Sequence, residues 1–508
     1  MSVEKTAVSR LSYVKRNIIW SGISNFFYIL FPFVIRTLFI NYLGSEYLGL
    51  NSLCTSIIHV LNAAEFGVSS AFAYRLYEPI ASHDIPQIGK LLNFYRKVYF
   101  IIGTVILAAG IVIMPFMDKL IKEDIPADVN IYLVFAIYLL NAVLTYTVFA
   151  YKELILVANQ RRDYVDMISC VFLSIMYCVQ IVFIIQSNYY AYLLVLPSIT
   201  ILINTTKCIV AKKKYPDFIC RGTVDNEYVT GFIKDAISMA IYKFRDMSRN
   251  TFDSIVISAF IGLIALSNYQ NYYTVLVVPI VLRNIFANAL TPSMGNCIAS
   301  EDKQVVYEVY KVFAFVYIYI TGWFAICYGG LIQDFIVIWL GNNFLLSNMI
   351  VLLFVIYYYV LGFCDQTKMF REAAGLWNRG KVFAGTEMFA NLILNIGLVY
   401  WLGLSGIILA TILTIIFINI PFENYIIFHG FFQRGFNETA MIYFRAFVWF
   451  VIAGVITMGL CHGIVREGYV GLIMKAGICV IIPTVLFFLM NYRTTELRYL
   501  LKRFNLID

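Results

Sequence analysis

The segment Ile241-Tyr242-Lys243-Phe244-Arg245-Asp246-Met247-Ser248-Arg249-Asn250-Thr251-Phe252-Asp253 sets ionised side chains inside an otherwise apolar stretch. On a helix, Arg245, Arg249 and Asp253 stand at i, i+4, i+8 and share one face. Tyr242, Asp246 and Asn250 flank that face, and Lys243 points further away. Two arginines on one face suit a doubly charged anion such as a diphosphate. A guanidinium binds phosphate oxygens through paired N–H donors and stays charged at low dielectric. Asp253 can offset Arg249 while the site is empty, or exchange a coupling proton. A solvated extension of a long helix would explain Lys243. It does not explain Arg249 and Asp253, because residues 254–266 are too few to cross a bilayer alone.

Other polar groups also interrupt apolar runs. His59, Asn62 and Glu65 recur at i, i+3, i+6, and Arg283 lies in a later run. Arg36 lies near the outer end of the first run, where snorkelling to headgroups explains it as well as cavity lining does. Glu387, Asn391 and Asn395 form a stripe at i, i+4, i+8, read as interhelical hydrogen bonding or as a hydrophilic channel. Charge persists in hydrocarbon only against a partner or a water-filled cavity. The candidate site is therefore Arg36, Lys243, Arg245, Arg249 and Arg283 for an anionic substrate. Glu65, Asp246, Asp253 and Glu387 are the candidates for coupling or gating.

Long membrane helices must hold these residues. Of 508 residues, 61% are hydrophobic and 13% charged. Soluble proteins average about 25% charged residues. The composition excludes a soluble enzyme, a disordered chain and a nucleic-acid binder. The apolar runs lack period-two alternation, which excludes a β-barrel. Fourteen helical spans are expected, at approximately 17–42, 47–74, 98–117, 130–151, 165–186, 190–210, 233–262, 265–291, 312–333, 346–367, 382–402, 405–428, 446–464 and 469–491.

Loop charge orients them. Of the 38 Lys and Arg, the expected outer loops hold Lys119, Lys122, Arg466 and Lys475. Arg36, Lys243, Arg245, Arg249 and Arg283 fall within spans, and all the others in inner loops and tails. Positive charge holds loops in the cytoplasm, so both termini are expected there. The first apolar run has full span length and is no cleavable signal peptide. The outer loops are too short to fold as domains. The largest inner loop carries no phosphate-binding Gly-rich motif, so no ATP hydrolysis is expected. The ten cysteines and four histidines are scattered, without metal-ligand or disulfide spacing. No cofactor is expected.

A shift of 218 residues brings the chain partly onto itself. Gly44 falls on Gly262, Ala71 on Ala289, Arg161 on Arg379, and Ile80-Ala81-Ser82-His83-Asp84 on Ile298-Ala299-Ser300-Glu301-Asp302. Six spans separate equivalent positions, so the repeats run parallel, as in two-lobed transporters. The expected architecture is an N-lobe at 1–211, a linker at 212–232, a C-lobe at 233–430 and two appended spans with a tail at 431–508. Substrate would sit between the lobes. The same shift sets Glu65 on Arg283, which suggests a pairing between lobes in one conformational state; each residue could equally find a partner in its own lobe.

Phe39-Ile40-Asn41-Tyr42-Leu43-Gly44-Ser45-Glu46-Tyr47-Leu48-Gly49-Leu50-Asn51 resembles the first-hairpin signature of bacterial polysaccharide repeat-unit flippases of the O-antigen type. Ala64-Glu65-Phe66-Gly67 and Tyr74-Arg75-Leu76-Tyr77 continue it. Asn250-Thr251-Phe252-Asp253-Ser254-Ile255-Val256-Ile257-Ser258 and Tyr269-Gln270-Asn271-Tyr272 resemble the matching C-lobe motif. Phe252 and Gln270 depart from it, at places where small polar residues are commoner. The superfamily is that of multidrug/oligosaccharidyl-lipid/polysaccharide exporters. The resemblance implies two six-helix bundles around a cationic cavity. It also implies transfer of an undecaprenyl-diphosphate-linked oligosaccharide to the outer leaflet of the bacterial cytoplasmic (inner) membrane, driven by a proton or sodium gradient. Membrane lipids and polysaccharide polymerase machinery are the implied partners, and a monomer is expected. A multidrug antiporter of the same superfamily is the alternative, and a membrane-embedded glycan polymerase or ligase is the alternative from another class. Alkaline phosphatase fused after residue 508 is expected to be inactive, and the same reporter in the 118–130 loop active; the reverse pattern overturns the orientation.

Overall fold

The computed structural model describes residues 20, 22–23, 26–27, 29–65, 68–122, 125–159, 161–376, 380–464 and 468–503. Among them there is no strand. Among the described residues, nine helices are long and apolar enough to cross a membrane, and a bent pair makes a tenth. The expectation of an all-helical, many-span membrane protein stands, and every expected span contains helical residues. Of the residues singled out from sequence, Phe66, Gly67, Arg379 and Arg466 lie outside the described set.

The first continuous described helix is α1 (Ile29–Tyr42). The second expected span is not continuous. It comprises α2 (Ser45–Leu61), a 3-10 stretch at Asn62–Glu65 and α3 (Val68–Ala81). α4 (Ile85–Ile113) starts well before the expected third span, capped by the Asp84 carboxylate, which accepts a bond from the Gln87 N–H at 2.9 Å. The fourth span ends early. α5 (Ile131–Thr147) and α6 (Glu153–Ala158) meet at a 43° bend, with Phe149 in the left-handed region at φ 52. Asn130 and Asn188 cap α5 and α8 (Tyr189–Lys214), which flank α7 (Arg162–Ile185).

α9 (Asn226–Phe260) starts earlier than the expected seventh span, and α10 (Leu263–Ser300) ends later than the eighth. α11 (Lys303–Trp339), α12 (Asn348–Ala373) and α13 (Lys381–Leu402) follow. The twelfth span is α14 (Leu404–Thr414) and α15 (Ile420–Ile427), joined and continued by π-helical turns at Ile415–Asn419 and Phe428–Phe432. Pro421 has no N–H for the regular ladder, which accounts for the first bulge. α16 (Asn437–His462) and α17 (Gly468–Asn491) are the last two spans. α18 (Thr495–Arg503), a short amphipathic helix, was not expected.

The helices correct the loop assignment of several charges. Lys207 and Lys475, counted among loop charges, fall inside the expected spans 190–210 and 469–491, and Arg371 lies just past 346–367. All three lie within helices and are paired with carboxylates: Lys207 with Glu153 at 2.8 Å, Arg371 with Glu423 at 2.9 Å and Lys475 with Asp334 at 2.7 Å. The apolar run at 346–367 ends near its first charges, whereas the buried Arg371–Glu423 pair lets α12 continue.

The chain divides into two compact units, Met1–Ser267 and Asn268–Asp508. α9, assigned to the second lobe from sequence, falls in the first unit. There it packs along α2 and reaches α3 and the Asn62–Glu65 turn. In the second unit, α16 and α17 lie against α11. Trp449 of α16 is fully buried where Gly322 of α11 leaves room, and a Cβ on that glycine would sit 2.7 Å from the indole. Below it, Tyr310, Phe370 and Phe432 form an aromatic cluster with centroids 4.9–5.6 Å apart. Large apolar side chains stand on the outside, among them Trp401 and Phe417, as expected where the surrounding solvent is lipid.

The 218-residue repeat has a geometric counterpart. Leu43 N–H and Gly44 N–H both bond the Phe39 carbonyl at 2.9 Å. At the positions shifted by 218, Ile261 N–H and Gly262 N–H both bond the Ile257 carbonyl, at 2.8 and 2.9 Å. Gly44 and Gly262 have φ of 110 and 133, which L side chains rarely adopt. Each glycine closes one helix and starts the next. Gly49 is needed for a different reason: a Cβ there would lie 2.2 Å from the Leu263 carbonyl oxygen. Gly44→Val should destabilise the protein through its backbone alone, by about 1–3 kcal/mol. Gly49→Val should do so by overpacking, by about 1–3 kcal/mol. Thermal unfolding in detergent checks both, and unchanged melting of Gly49→Val would contradict the close approach of α2 and α10.

Candidate functional site

α9 is the helix that the charges make exceptional. Its 35 residues reach about 52 Å, longer than a hydrocarbon core of roughly 30 Å. Counting back from Phe260, Arg249 lies about 16 Å and Arg245 about 22 Å along the axis. Arg245, Arg249 and Asp253 are all buried, as expected for one face turned into protein. Lys243 is exposed. It still lies close enough to Glu65 to act on that carboxylate electrostatically. The far end of α9 is anchored by Ser258: its hydroxyl donates to the Leu120 carbonyl at 2.8 Å, and its own carbonyl accepts from Lys122 N–H at 3.2 Å.

Arg245 donates through Nε and Nη2, at 3.0 and 2.8 Å, to a single oxygen of Asp246, which is partly exposed. The guanidinium also lies 5.5 Å from the Tyr242 ring centroid. Asp246, expected to flank the face, is thus a counter-ion. An anion approaching Arg245 competes with it. Arg249 and Asp253 each engage other residues of the protein.

The remaining residues do not all join α9. Arg36 is half-buried on α1, near enough to Tyr192 of α8 for electrostatic interaction. Glu65 lies on the 3-10 turn and lines a cavity of about 410 Å³ with Ser69, Tyr99, Glu153, Asn204 and Lys207. For Arg283 the structure shows a partner within its own unit, one of the two readings the sequence left open. Its Nη2 bonds Asp365 within the second unit, and Nη1 reaches the Tyr358 carbonyl at 3.5 Å. Its guanidinium also lies 4.8 Å from the Tyr358 ring centroid. A fully buried guanidinium takes the nearest carboxylate, and α12 supplies it one helix away.

The Glu387 stripe forms hydrogen bonds to the twelfth span. Asn419 Nδ2 donates to Glu387 at 2.8 Å, Asn391 Nδ2 to the Thr411 hydroxyl at 2.9 Å, and Asn395 Nδ2 to Asn391 at 3.3 Å. The π-turn carrying Asn419 makes the first of these contacts. One turn further, Glu423 accepts from Arg371, both buried. Sequence reasoning missed Asp365, Glu153 and the Arg371–Glu423 pair: Glu153 and Arg371 lie past the ends of their expected spans, while Asp365 and Glu423 lie inside theirs and meet their partners only in three dimensions. It also missed Asn51. That side chain closes the first-hairpin motif and accepts bonds from the hydroxyls of Tyr138 and Tyr189 at 2.9 and 2.8 Å, tying α2 to α5 and α8.

Long apolar helices with buried, mutually compensated charges define a multi-spanning helical membrane protein with polar sites inside its helix bundles. Its particular fold is that of known transporters. The structure of a protein described as lipid II flippase MurJ, inward closed, has a TM-score of 0.65 to this chain at 14% identity, covering 93% of this chain and 98% of its own. An inward-facing multidrug resistance MATE family transporter of the MOP superfamily has a TM-score of 0.55 at 12% identity, covering 84% and 98%. A MOP superfamily transporter from Pyrococcus furiosus has a TM-score of 0.55 at 13% identity, covering 83% and 96%. No family model matches the chain, and no curated protein does.

Removing one member of a buried pair leaves the other charged and uncompensated, at a cost of about 3–5 kcal/mol, whereas an apolar replacement of both is close to neutral. Glu423→Ala should therefore lower the melting temperature sharply, and Arg371→Met with Glu423→Leu should recover most of it. A double variant as unstable as the single one would contradict the pairing.

Proposed function

We propose that this chain is a flippase for oligosaccharides linked to a polyprenyl diphosphate, moving them from the inner to the outer leaflet by alternating access of two lobes. The observation that carries this reading is the pair of buried arginines on one face of α9, in a chain with the fold of a lipid II flippase. The diphosphate is the charged part of the headgroup that must cross the hydrocarbon, and guanidinium groups replace its hydration there. Asp246 holds Arg245 while substrate is absent and is displaced as the diphosphate binds. The lipid is undecaprenyl diphosphate and the membrane is the bacterial cytoplasmic one, with both termini inside. A proton or sodium gradient drives the cycle, with Asp253, Glu65 and Glu387 as the carboxylates available for it. The protein works as a monomer beside polysaccharide polymerase machinery.

The multidrug alternative is tested by the same residues, because organic cations are repelled by an arginine-lined site. In a strain lacking this gene, lipid-linked oligosaccharide should accumulate on the inner leaflet, and the wild-type gene should restore its exposure outside. Arg249→Ala should lower the initial rate of exposure at least tenfold at equal protein abundance, a loss of about 1.4 kcal/mol or more. Normal export in the deletion strain, with no second flippase present, would reject the function. Normal export with Arg249→Ala and Arg245→Ala would keep the function and reject the site.

A further inference from the structure

Two basic segments distant in sequence meet at one end of the first unit. Arg161 and Arg162 open α7, and Lys212, Lys213 and Lys214 form the last turn of α8. Tyr164 joins them. The Arg161 guanidinium carbon lies 4.1 Å from its ring centroid and the Lys214 ammonium 5.6 Å away. Arg161 is held in place by the buried Asp163, through Nε at 2.9 Å and Nη2 at 3.0 Å. Asp163 holds the Arg161 pKa above its ordinary value, so this charge is permanent.

The other cations face outward. Arg162 is 65% exposed and only 3.7 Å from Asp166, while Lys212, Lys213 and Lys214 are all exposed. Among the described residues, no ion pair engages these three lysines. The carbonyl end of α8 favours them electrostatically but leaves their ammonium groups outside. Their depth is set by Lys207, buried on Glu153; the lysines begin about 8 Å further along the same helix. That places five cations, with two carboxylates among them, where a span leaves the hydrocarbon. Clusters of four to eight Lys and Arg in that position recognise anionic headgroups.

We propose that the patch formed by Arg162, Lys212, Lys213 and Lys214 around the Arg161–Tyr164 platform binds the net-negative phosphate headgroup of a membrane lipid. The inference needs only a membrane-spanning chain and is separate from the α9 site. Tyr164 fixes the spacing of the two basic segments, so a headgroup is bridged between helix ends. The source is either a bulk anionic phospholipid or a polyprenyl diphosphate.

The full chain, purified in detergent, is titrated with phosphatidylglycerol, phosphatidylcholine or undecaprenyl diphosphate, and binding is read by native mass spectrometry. One or both net-anionic lipids should bind in preference to phosphatidylcholine. Lys212→Gln/Lys213→Gln/Lys214→Gln should weaken that binding roughly fivefold per charge removed at low salt. Added salt should erode the difference. Preference for phosphatidylglycerol assigns a structural phospholipid, and preference for the diphosphate assigns a docking place for the carried lipid class. Arg162→Gln, which keeps the lysines that set topology, should lose about fivefold by itself. Neutralising Arg493, Arg498 and Lys502 removes equal charge elsewhere and should leave binding unchanged. Equal losses from both triple variants, undiminished binding in the lysine variant, or no preference over phosphatidylcholine would overturn the proposal.

Discussion

An ionised side chain in a low-dielectric interior needs a counter-charge within reach, and much of this structure follows from that requirement. Moving such an ion out of water costs of order 20 kcal/mol in the idealised limit and still several in a relaxed protein. Arg283 answers with Asp365 and the ring of Tyr358, Arg371 with Glu423, and Lys207 with Glu153. Each pair joins two helices, so the pairs also specify which helices are neighbours. Lipid supplies little hydrophobic drive between spans, and close packing and polar contacts select the partners instead.

The same requirement explains where the helices are irregular. The second span is interrupted at Asn62–Glu65, the fourth at Phe149, and the twelfth by two π-turns. Irregular backbone at membrane depth survives only where protein or a polar cavity receives the freed groups. The interrupted second and fourth spans both border the cavity that holds Glu65, Glu153 and Lys207. The first π-turn brings Asn419 to Glu387. Breaks and buried polar groups therefore occur together, and the glycines serve the regular parts: Gly49 and Gly322 let helices approach more closely than any Cβ would permit.

Arg245 of α9 has a counter-charge on its own helix. It comes from the neighbouring Asp246, whose carboxylate is partly exposed. Arg283 and Arg371 are buried and instead matched across helices.

Composition and hydropathy alone determined that the chain is an all-helical membrane protein, and the charges in residues 241–253 marked α9 as the unusual helix. The repeat was also legible: Gly44 and Gly262 share one backbone conformation, which a side chain would disfavour, so the residue type is preserved. These properties are local, set by solvent, periodicity and backbone sterics. Only the tertiary structure decided which charges pair. Symmetry set Arg283 at the position equivalent to Glu65 and left its partner open, and Asp365 lies beside it. Arg371 and Lys207 looked like loop residues, yet each completes an ion pair inside the protein. An ion pair depends on a distance of a few ångströms between residues separated by tens of positions, and no one-dimensional pattern carries that distance.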